Sequence, residues 1–372
     1  MTEKKIGILH QSVCVGDAIG NDIMGGYLLL KKMGFEPEII CQYFDKKIPS
    51  EFHHSNDCMS TRVNEDYSLL IYHHSGYRKV GEDIINGFQG KIVVKYHNIT
   101  PHTFFAPYSQ RYDDVCREGR EQTHRFVKSN KVSLWQADSF YNAAELSTIG
   151  VKAEINKVVP PFNRLKELNI TPHYANYGSD QQIDLLFVGR RAPNKGHRHL
   201  LYVIKSYIRL YSANIKLKIV GGVDDQLTQY SEELLALSKQ LGVTRHVEWL
   251  THISNQDLDS LFRSSHLYLN MSEHEGFCVP IIEAQAIGLP VINVKTTALG
   301  ETTGLNQLVC PLPNSEEDYE VIAGLVHELV NNTVLRESVI RNGYKNTQAR
   351  FTQELIENQF MGSLEPILRE LS

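Results

Sequence analysis

The chain has 372 residues, 42% of them hydrophobic and 22% charged, and its formal net charge is −5 at pH 7. This composition is typical of soluble globular proteins of two domains, and its mildly acidic balance excludes a general nucleic-acid binder. The six cysteines are scattered without a C-x-x-C pair, which predicts free thiols in a reducing compartment.

The first half of the chain alternates short apolar runs with segments of helical periodicity. The apolar runs predict strands at 5–10, 36–44, 68–75, 91–98, 133–138 and 156–161. The periodic segments predict helices at 20–33, 113–130 and 139–150. Strands that alternate with helices in this way indicate a parallel, doubly wound sheet.

A polar segment rich in turn-forming residues, NITPHYANYGSDQQ (169–182), interrupts the alternation and is typical of a linker. The alternation then resumes. Further strands are predicted at 183–189, 216–222, 246–254, 266–272, 290–295 and 306–312. Further helices are predicted at 195–211, 226–241, 255–264, 280–287, 315–331, 333–347 and 352–371.

This order of elements predicts an α/β fold of two Rossmann-like, doubly wound domains that face each other across a cleft. We place the first domain at 1–165, the linker at 166–182 and the second domain at 183–350. The last helix, about 352–372, is expected to pack back on the first domain. Because ligands of such sheets bind at the carboxyl ends of the strands, the cleft is the expected site.

No segment of the sequence predicts export or insertion into a membrane. The start, MTEKKIGILHQ, lacks the apolar region of a signal peptide. No apolar run approaches the roughly 18 residues that a membrane span needs. We therefore expect a cytoplasmic protein. The basic segment 116–131 would suit peripheral contact with the inner face of a membrane, or it is a solvated helix face.

The stretch SEHEGFCVPIIEAQAIGLPVI (272–292) predicts a loop that leads into a helix, with Pro280 at its start and Gly288 at its end. A diphosphate can bind the free N–H groups at such a helix N-terminus. Glu283, one turn inside, would accept hydrogen bonds from ribose hydroxyls, and Glu275 from a second sugar. Alternatively, Glu283 only favours the helix dipole and Glu275 is a surface residue. The expected donors are Gly276, Phe277, Cys278 and Val279.

A second motif, LLFVGRRAPNKGHRHLL (185–201), predicts a buried strand, a glycine turn and a helix start. Arg190 and Lys195 lie on the connecting loop, where a pyrophosphate would bind. An arginine can grip phosphate with two hydrogen bonds, and a lysine acts as a point charge. A solvated basic loop is the alternative.

The motifs G-R-x4-K-G (Gly189, Arg190, Lys195, Gly196) and E-x7-E (Glu275 to Glu283) resemble those of the large retaining glycosyltransferase family numbered four, which has the GT-B fold. The resemblance extends over nearly the whole chain. It implies that Arg190 and Lys195 hold the donor diphosphate during catalysis. It implies that Glu283 holds the ribose and Glu275 the transferred sugar. It also implies that backbone atoms near Ile253 and Leu258 contact the base.

The first half holds three segments similar to this family. GDAIGND (16–22) resembles its glycine-rich loop, in which Gly16 and Gly20 would let the backbone approach a phosphate or acceptor, although an ordinary strand–helix turn is the alternative. In VVKYHNITP (93–101), His97 is implied to lie against the donor sugar; a strand-end histidine without a role is the alternative. In ADSFYNAAEL (137–146), Asp138 and Ser139 are implied to face the acceptor side.

Two features depart from the family or compete with it. Cys278 replaces the second glycine of the family's E-G-F-G, and its thiol predicts sensitivity to alkylation. Asp257 and Asp259 form a D-x-D triplet, a pattern that binds metal in the other glycosyltransferase fold. Here the triplet opens a helix, where residues two apart face about 200° apart and early acids favour the dipole. We therefore expect no metal and no cofactor besides the donor substrate.

These features predict a retaining, metal-independent glycosyltransferase. The expected donor is a UDP-hexose, with UDP-glucose favoured. The expected acceptor, a growing envelope or extracellular polysaccharide or a lipid-linked oligosaccharide, rests on the resemblance alone. A nucleotide-sugar epimerase of the same fold and a non-catalytic nucleotide-sugar-binding protein remain alternatives. A dinucleotide dehydrogenase is disfavoured because GDAIGND lacks the G-x-G-x-x-G spacing.

No motif offers a nucleophile for a covalent sugar intermediate. Retention then indicates attack from the face that the leaving group occupies, with the leaving phosphate taking the acceptor's proton. In this scheme His97 is no general base. It orients the sugar through a hydrogen bond, and its backbone carbonyl stabilises the charged sugar ring.

Overall fold

The computed structural model describes residues 5–56, 60–168, 177 and 181–371, without the side chains of 60–62. Contacts divide the chain into two compact units. The first comprises Met1–His102, Asp113–Arg164 and Gln353–Ser372, and the second comprises Thr103–Tyr112 and Leu165–Thr352. Thr103–Tyr112 therefore belongs to the second unit, although the predicted first domain, 1–165, includes it. Most of the predicted linker, 169–176 and 178–180, lies outside the described residues.

The first unit is built on a seven-stranded parallel sheet. Its strands are β1 (Lys5–Leu9), β3 (Pro37–Ile40), β5 (His54–Ser55), β6 (Tyr67–His74), β7 (Lys91–Tyr96), β8 (Leu134–Ala137) and β9 (Asn156–Val158), and β2 (Ser12–Val13) and β4 (Tyr43–Phe44) form a separate pair. The strand order is β5-β3-β1-β6-β7-β8-β9. The sheet therefore grows in both directions from β1, with β3 and β5 on one side and β6 to β9 on the other, as doubly wound sheets do.

The single strand predicted at 36–44 is wrong, because the chain changes pairing partner within it. The Cys41 N–H donates to the Ser55 carbonyl at 3.0 Å, in line with β3 and β5. Tyr43 instead pairs with Ser12 in the small β2–β4 pair. The segment therefore forms two short strands.

The second unit is built on a six-stranded parallel sheet. Its strands are β10 (Ile183–Val188), β11 (Ile215–Val220), β12 (Val247–Leu250), β13 (Leu267–Asn270), β14 (Val291–Val294) and β15 (Leu308–Cys310). Their order, β12-β11-β10-β13-β14-β15, places the change of direction between β10 and β13.

Helices connect the strands of both sheets. In chain order they are α1 (Ala18–Lys32), α2 (Ser60–Asp66), α3 (Lys79–Gly87), α4 (Gln110–Ser129), α5 (Phe140–Thr148), α6 (His197–Leu210), α7 (Thr228–Gln240), α8 (Asn255–Ser264), α9 (Val279–Ile287), α10 (Leu299–Thr303), α11 (Glu316–Asn331), α12 (Thr333–Arg350) and α13 (Gln353–Leu371). The two parallel α/β sheets confirm the predicted fold class. Among the described residues, no helix combines the length and the apolar character that crossing a bilayer requires.

Helix α13 contributes to the core of the first unit. Its residues Ile356, Phe360 and Leu364 are buried with the apolar side chains of α1 and of the sheet. The Phe360 ring meets that of Phe162 edge-on, with 5.4 Å between the centroids. The first unit is therefore completed by a segment that follows the entire second unit in the sequence.

Candidate functional site

The two sequence motifs of the second unit follow adjacent strands. Gly189–Lys195 is the loop after β10, and Glu273–Cys278 is the loop after β13. Because β10 and β13 pair in parallel, both loops lie at the same edge of the sheet, where its direction of growth changes. Open α/β sheets bind their ligands at this point.

An ion pair joins the two loops. The Lys195 ammonium lies 2.6 Å from Oε1 of Glu275, and their side chains are 19% and 10% exposed. Asn194 reinforces the junction, since its carbonyl accepts the N–H groups of Glu273 at 2.8 Å and His274 at 3.2 Å. The structure thus brings the lysine of one motif to the first glutamate of the other, which the sequence spacing alone could not place.

Gly196 makes this junction possible. Its backbone is left-handed, with φ of +63°, and a Cβ at this position would meet the Met271 carbonyl at 1.9 Å. No side chain larger than hydrogen fits there. In the K-G pair of the first motif, the lysine therefore supplies the cation. The glycine allows the close approach of the two loops that positions this lysine.

The two arginines of GRRAPNKG point to different surroundings. Arg190 is exposed and hydrogen-bonds the hydroxyl of Tyr112, which in turn donates to Asp224. The Arg191 guanidinium lies over the Trp249 ring, 4.3 Å from its centroid. Arg190 therefore remains available to an anion at the loop surface, whereas the Arg191 side chain is packed against Trp249.

Helix α9 begins at the second motif. Cys278 is its N-cap and has φ of +81°, the left-handed conformation that favours the glycine of the family pattern. Pro280 lies in the first turn, where its missing N–H costs nothing. The Phe277 ring packs edge-on against Phe351, 5.3 Å between centroids, so only its backbone can serve a ligand. Glu283 is buried in the middle of α9, with 4% exposure.

The expected sensitivity of Cys278 to alkylation does not agree with its surroundings. Burial, followed by the neighbouring Glu275, raises the pKa of the Cys278 thiol. The thiolate is the reactive form, so a raised pKa lowers its population at neutral pH. Cys278 therefore occupies a glycine-like backbone position, and its raised pKa favours the less reactive thiol form.

The base-binding residues implied by the resemblance lie around the start of α8. Ile253 is partly buried against the hydrophobic core of the second unit. The Leu258 N–H donates to the Ser254 carbonyl at 2.9 Å within the first turn, so this backbone donor is already used. Asp257 is committed to capping, since its N–H and one carboxylate oxygen both bond the Ser254 hydroxyl, at 3.1 and 2.7 Å.

In the first unit, the glycine-rich loop differs from the expectation. Gly16 is exposed with φ of +79°, which suits a turn open to a ligand. Gly20 lies inside α1, where its N–H donates to the capping carboxylate of Asp17 at 3.1 Å. A Cβ on Gly20 would meet the Cys14 carbonyl at 2.4 Å. Gly20 therefore permits close packing within the protein, and its role towards a phosphate or acceptor stays a prediction.

The acceptor-side residues are also used internally. Ser139 is buried and caps α5, its hydroxyl accepting the Asn142 N–H at 3.1 Å. Asp138 is buried, and its Oδ2 accepts from Nδ1 of His97 at 2.8 Å. Although burial alone would raise it, the pKa of the Asp138 carboxyl is lowered by the His97 ring and the Lys95 ammonium. Both side chains are therefore used within the first unit, and their place on the acceptor side stays a prediction.

His97 is held from both sides of its ring. Besides the Asp138 bond, its Nε2 lies 2.9 Å from Nδ1 of His73. Both ring nitrogens of His97 are therefore engaged within the protein, and its side chain is only 6% exposed. The role of His97 towards a donor sugar stays a prediction.

The remaining members of this cluster, Asp22, His73 and Lys95, are not among the predicted site residues. Lys95 lies 2.9 Å from Oδ1 of Asp138 and 4.0 Å from Oδ2 of Asp22. Asp22 approaches both histidines, at 3.6 Å from Nδ1 of His73 and 3.8 Å from Nε2 of His97. The sequence signal for these residues was their polar character at positions that the periodicity predicts to be buried. A buried polar residue indicates a specific role because a core is usually apolar.

Within the part of the chain that the structure describes, Asp22, His73 and His97 are also the one group of three side chains whose ligand atoms are close enough to share a metal ion. Two observations oppose such a role. The hydrogen bond between His73 and His97 occupies two of the three atoms. The Lys95 ammonium already supplies positive charge beside Asp22. The cluster is therefore a network of buried hydrogen bonds and ion pairs.

Comparisons with known proteins find relatives of the second half of the chain. The family model described as "Glycosyl transferases group 1" matches residues 174–346. The capsular polysaccharide biosynthesis glycosyltransferase CapM of Staphylococcus aureus is 25% identical over 184 residues, half of this chain and 46% of CapM. The GDP-Man:Man(3)GlcNAc(2)-PP-Dol alpha-1,2-mannosyltransferase of Dictyostelium discoideum is 27% identical over 203 residues, half of this chain and 37% of that protein.

The solved structures show similarity over nearly the whole chain. Anabaena HepE in complex with UDP-glucose superposes with a TM-score of 0.73 at 17% identity, covering 97% of this chain and 99% of HepE. The chain therefore has the GT-B fold, as predicted. Residues 174–346, which match the group 1 glycosyltransferase model, make up less than half of the chain. The chain spans less than half the length of the two named sequence relatives.

Proposed function

We propose that the protein is a retaining glycosyltransferase that transfers a hexose from a nucleotide sugar to a saccharide or lipid-linked saccharide acceptor. UDP-glucose is the favoured donor, and the acceptor is a growing envelope or extracellular polysaccharide or a lipid-linked oligosaccharide. The reaction takes place in the cytoplasm, with peripheral contact at the membrane where the acceptor is lipid-linked.

The 2.6 Å ion pair between Lys195 and Glu275 carries this proposal. It places a cation and a hydrogen-bond acceptor for hydroxyls side by side at the ligand-binding edge of the sheet. An incoming diphosphate would take the Lys195 ammonium, with Arg190 gripping it from the loop surface. Glu275 would then be released to accept hydrogen bonds from the transferred sugar.

The comparisons support the donor and acceptor classes at different strengths. The HepE structure contains UDP-glucose, which favours a UDP-sugar. The mannosyltransferase relative is named for a GDP-mannose donor, which makes the base and sugar the first quantities to measure. CapM is named for capsular polysaccharide biosynthesis, which favours a polysaccharide acceptor.

The chemical step follows from which groups lie near the diphosphate. Lys195, Arg190 and the N-terminus of α9 would stabilise the charge that develops on the leaving phosphate. No residue is assigned as a covalent nucleophile. We therefore favour attack on the face that the leaving group vacates, with a phosphate oxygen taking the acceptor's proton and the anomeric configuration retained.

A screen of UDP- and GDP-sugars for binding and slow hydrolysis tests the proposed function directly. A transferase releases the nucleoside diphosphate, and the anomeric configuration of its glycoside product, read by NMR, matches that of the donor. Conversion of one nucleotide sugar into another without release would identify an epimerase. Binding without any turnover, in the presence of acceptor saccharides, would identify a sensor.

The two glutamates should separate by substitution. Glu283→Gln is expected to weaken binding of UDP itself, because the proposed partner of Glu283 is the ribose. Glu275→Gln should bind UDP at least as well as the unsubstituted protein, since it frees Lys195 from its 2.6 Å ion pair, but should turn over donor poorly. Calorimetry with UDP and steady-state kinetics with the donor measure the two effects. Equal loss of UDP affinity in both variants would refute this division of roles.

Activity should persist after treatment with EDTA. Two cations and a helix N-terminus already face the proposed diphosphate, so a divalent ion is not needed to neutralise it. The measurement is donor turnover before and after chelation and gel filtration. Complete loss with rescue by Mn²⁺ would contradict the prediction and turn attention to Asp257 and Asp259. Substitution of Asp22 in the rescued protein would then decide whether the buried cluster holds the ion instead.

A further inference from the structure

A pocket opens in the first unit at the carboxyl ends of β1 and β6, and we call it the β1–β6 pocket. Its volume is about 250 Å³, and it is lined by residues that follow the strands, by Tyr72 of β6 and by the start of α3. The sheet extends from β1 in both directions, to β3 and β5 on one side and to β6 on the other. The pocket therefore lies where the direction of growth changes, the place where doubly wound sheets bind ligands.

The start of α3 brings three backbone donors to the β1–β6 pocket. Arg78 is the N-cap residue, and its side chain makes no capping bond. The N–H groups of Lys79, Val80 and Gly81 precede the first bond of the helix, in which the Glu82 N–H donates to the Arg78 carbonyl at 3.1 Å. No described residue accepts from these three groups. Since all three residues line the pocket, an anion there would meet free N–H groups and the positive end of the helix dipole.

Tyr72 adds a side-chain donor. It is only 2% exposed, and its ring packs against His74 and Phe126. Its hydroxyl lies at the first turn of α3, since a Cβ on Gly81 would come within 2.9 Å of it. In the part of the chain that the structure describes, this hydroxyl has no hydrogen-bond partner. Buried hydroxyls normally have one, so the Tyr72 hydroxyl indicates a partner that enters through the pocket.

The charges around the β1–β6 pocket also favour an anion. None of the described residues that line it is acidic, whereas Arg78 and Lys79 are basic. Lys79 is paired with Asp83 at 2.9 Å on the protein surface, which leaves Arg78 as the main cation of the lining. Burial raises the pKa of the Tyr72 hydroxyl, and the Arg78 charge opposes that rise. The guanidinium therefore acts on the same hydroxyl that lacks a partner.

His10 narrows the kind of anion that fits. Its ring lines the pocket, and its Nδ1 lies 2.8 Å from the His73 carbonyl. Because a carbonyl only accepts, this nitrogen carries a proton. Burial lowers the pKa of His10 to about 4, so the ring is neutral at pH 7 and its Nε2 is an acceptor. No described residue donates to Nε2. The pocket thus has donors from β6 and α3 and an acceptor after β1.

We propose that the β1–β6 pocket binds a small hydroxylated anion, in which a phosphate or carboxylate group takes the donors of Tyr72, Arg78 and α3 while a hydroxyl donates to Nε2 of His10. Pockets for drug-sized ligands have volumes of about 300–1,000 Å³. At about 250 Å³, this one holds a small molecule or one end of a larger molecule. The site lies within the first unit and goes beyond the proposed function, which assigns no ligand to it.

The probes are glycerol 3-phosphate, glycerate, inorganic phosphate and glycerol, titrated into the full-length protein by calorimetry. Glycerol 3-phosphate and glycerate join a hydroxyl to a phosphate and to a carboxylate, respectively, whereas the other two probes carry only one of the two features. We expect at least one of the hydroxylated anions to bind more tightly than inorganic phosphate and glycerol. Which of them binds identifies the anionic group. Failure of both to bind overturns the proposal, and equal binding of inorganic phosphate overturns the part assigned to His10.

Tyr72→Phe tests whether this binding occurs in the pocket, and Tyr67→Phe is the matched control. Tyr67 is on the same strand, is 4% exposed and donates its hydroxyl to Glu38 at 2.8 Å, outside the pocket. A hydrogen bond to a charged group changes affinity roughly tenfold to a hundredfold. Tyr72→Phe should therefore weaken binding at least about tenfold and keep the stability to urea, because no internal bond is lost. Tyr67→Phe should keep the affinity and lose stability.

Gly81→Ala supplies a second variant that blocks the β1–β6 pocket without removing a donor. Its Cβ would lie 2.9 Å from the Tyr72 hydroxyl, so binding should be lost while α3, which alanine favours, still forms. Equal affinities in Tyr72→Phe and Tyr67→Phe, or unchanged binding in Gly81→Ala, would place the anion elsewhere and overturn the proposal. A loss of stability in Tyr72→Phe as large as in Tyr67→Phe would show an internal partner for the hydroxyl, with the same consequence. None of these measurements depends on glycosyl transfer.

Discussion

Lys195→Ala is expected to weaken UDP binding about a hundredfold. A charge-assisted contact of this kind contributes about 1.5–3 kcal/mol, which is roughly a tenfold to a hundredfold change in affinity. We expect the upper end of this range because the substitution also leaves Glu275 without its ion-pair partner. The Glu275 side chain is only 10% exposed and lies 2.6 Å from the Lys195 ammonium. The uncompensated carboxylate would then repel the diphosphate.

Calorimetry with UDP measures the effect, and two further variants isolate its causes. Adding Glu275→Gln to Lys195→Ala should restore part of the affinity by removing the repulsion. Arg190→Ala should show a smaller loss, because Arg190 is exposed and screened by water. Arg191→Ala is the control from the same loop, since that guanidinium packs over Trp249, and it should leave UDP affinity intact. Normal UDP binding by Lys195→Ala would remove this loop from the donor site.

Phe360→Ala is expected to lower the free energy of unfolding of the first unit by about 3–5 kcal/mol, the usual loss when a buried phenylalanine leaves a cavity. Phe360 is 4% exposed and lies within the core shared by α1, the sheet and α13. The measurement is urea unfolding followed separately in each unit, because a chain of two units need not unfold in one step.

Glu365→Ala is the control on the same helix. Glu365 is exposed and pairs with Arg369 one turn on, an interaction that contributes only a few tenths of a kcal/mol. Its loss should leave the transition of the first unit almost unchanged. A comparable shift in both variants would mean that α13 is stabilised by its surface and not by burial against the core.

Local sequence signals predicted α9 well. Pro280 and Gly288 bounded the prediction at 280–287, and the helix is Val279–Ile287, with Gly288 in the left-handed conformation at φ of +88°. These limits depend on backbone chemistry that each residue carries wherever it lies. The start of α1 was less accurate, because Asp17 caps a helix that begins at Ala18. That shift of two residues moves Gly20 from the first residue of the predicted helix to the third residue of the observed one.

The cluster around His97 could not be derived in the same way. Asp22, His73 and Lys95 belong to three separate elements, and a polar residue at a position predicted to be buried does not by itself indicate its partners. Only the order β1-β6-β7-β8 and the packing of α1 bring them within hydrogen-bonding distance of one another. The internal partners of Asp138 and Ser139 were not predicted for the same reason, since sequence gives a residue's place at a strand end but not the partner that its side chain meets.

The position of α13 also bears on how the protein is made. A ribosome would complete Leu165–Thr352 before it produced Gln353–Leu371, the helix that supplies Ile356, Phe360 and Leu364 to the core of the first unit. The second unit can therefore reach its native state while the first is still a partly open sheet with uncovered apolar side chains. During that interval the nascent first unit would be the part that chaperones bind, and a premature stop before residue 353 would leave it permanently in this vulnerable state.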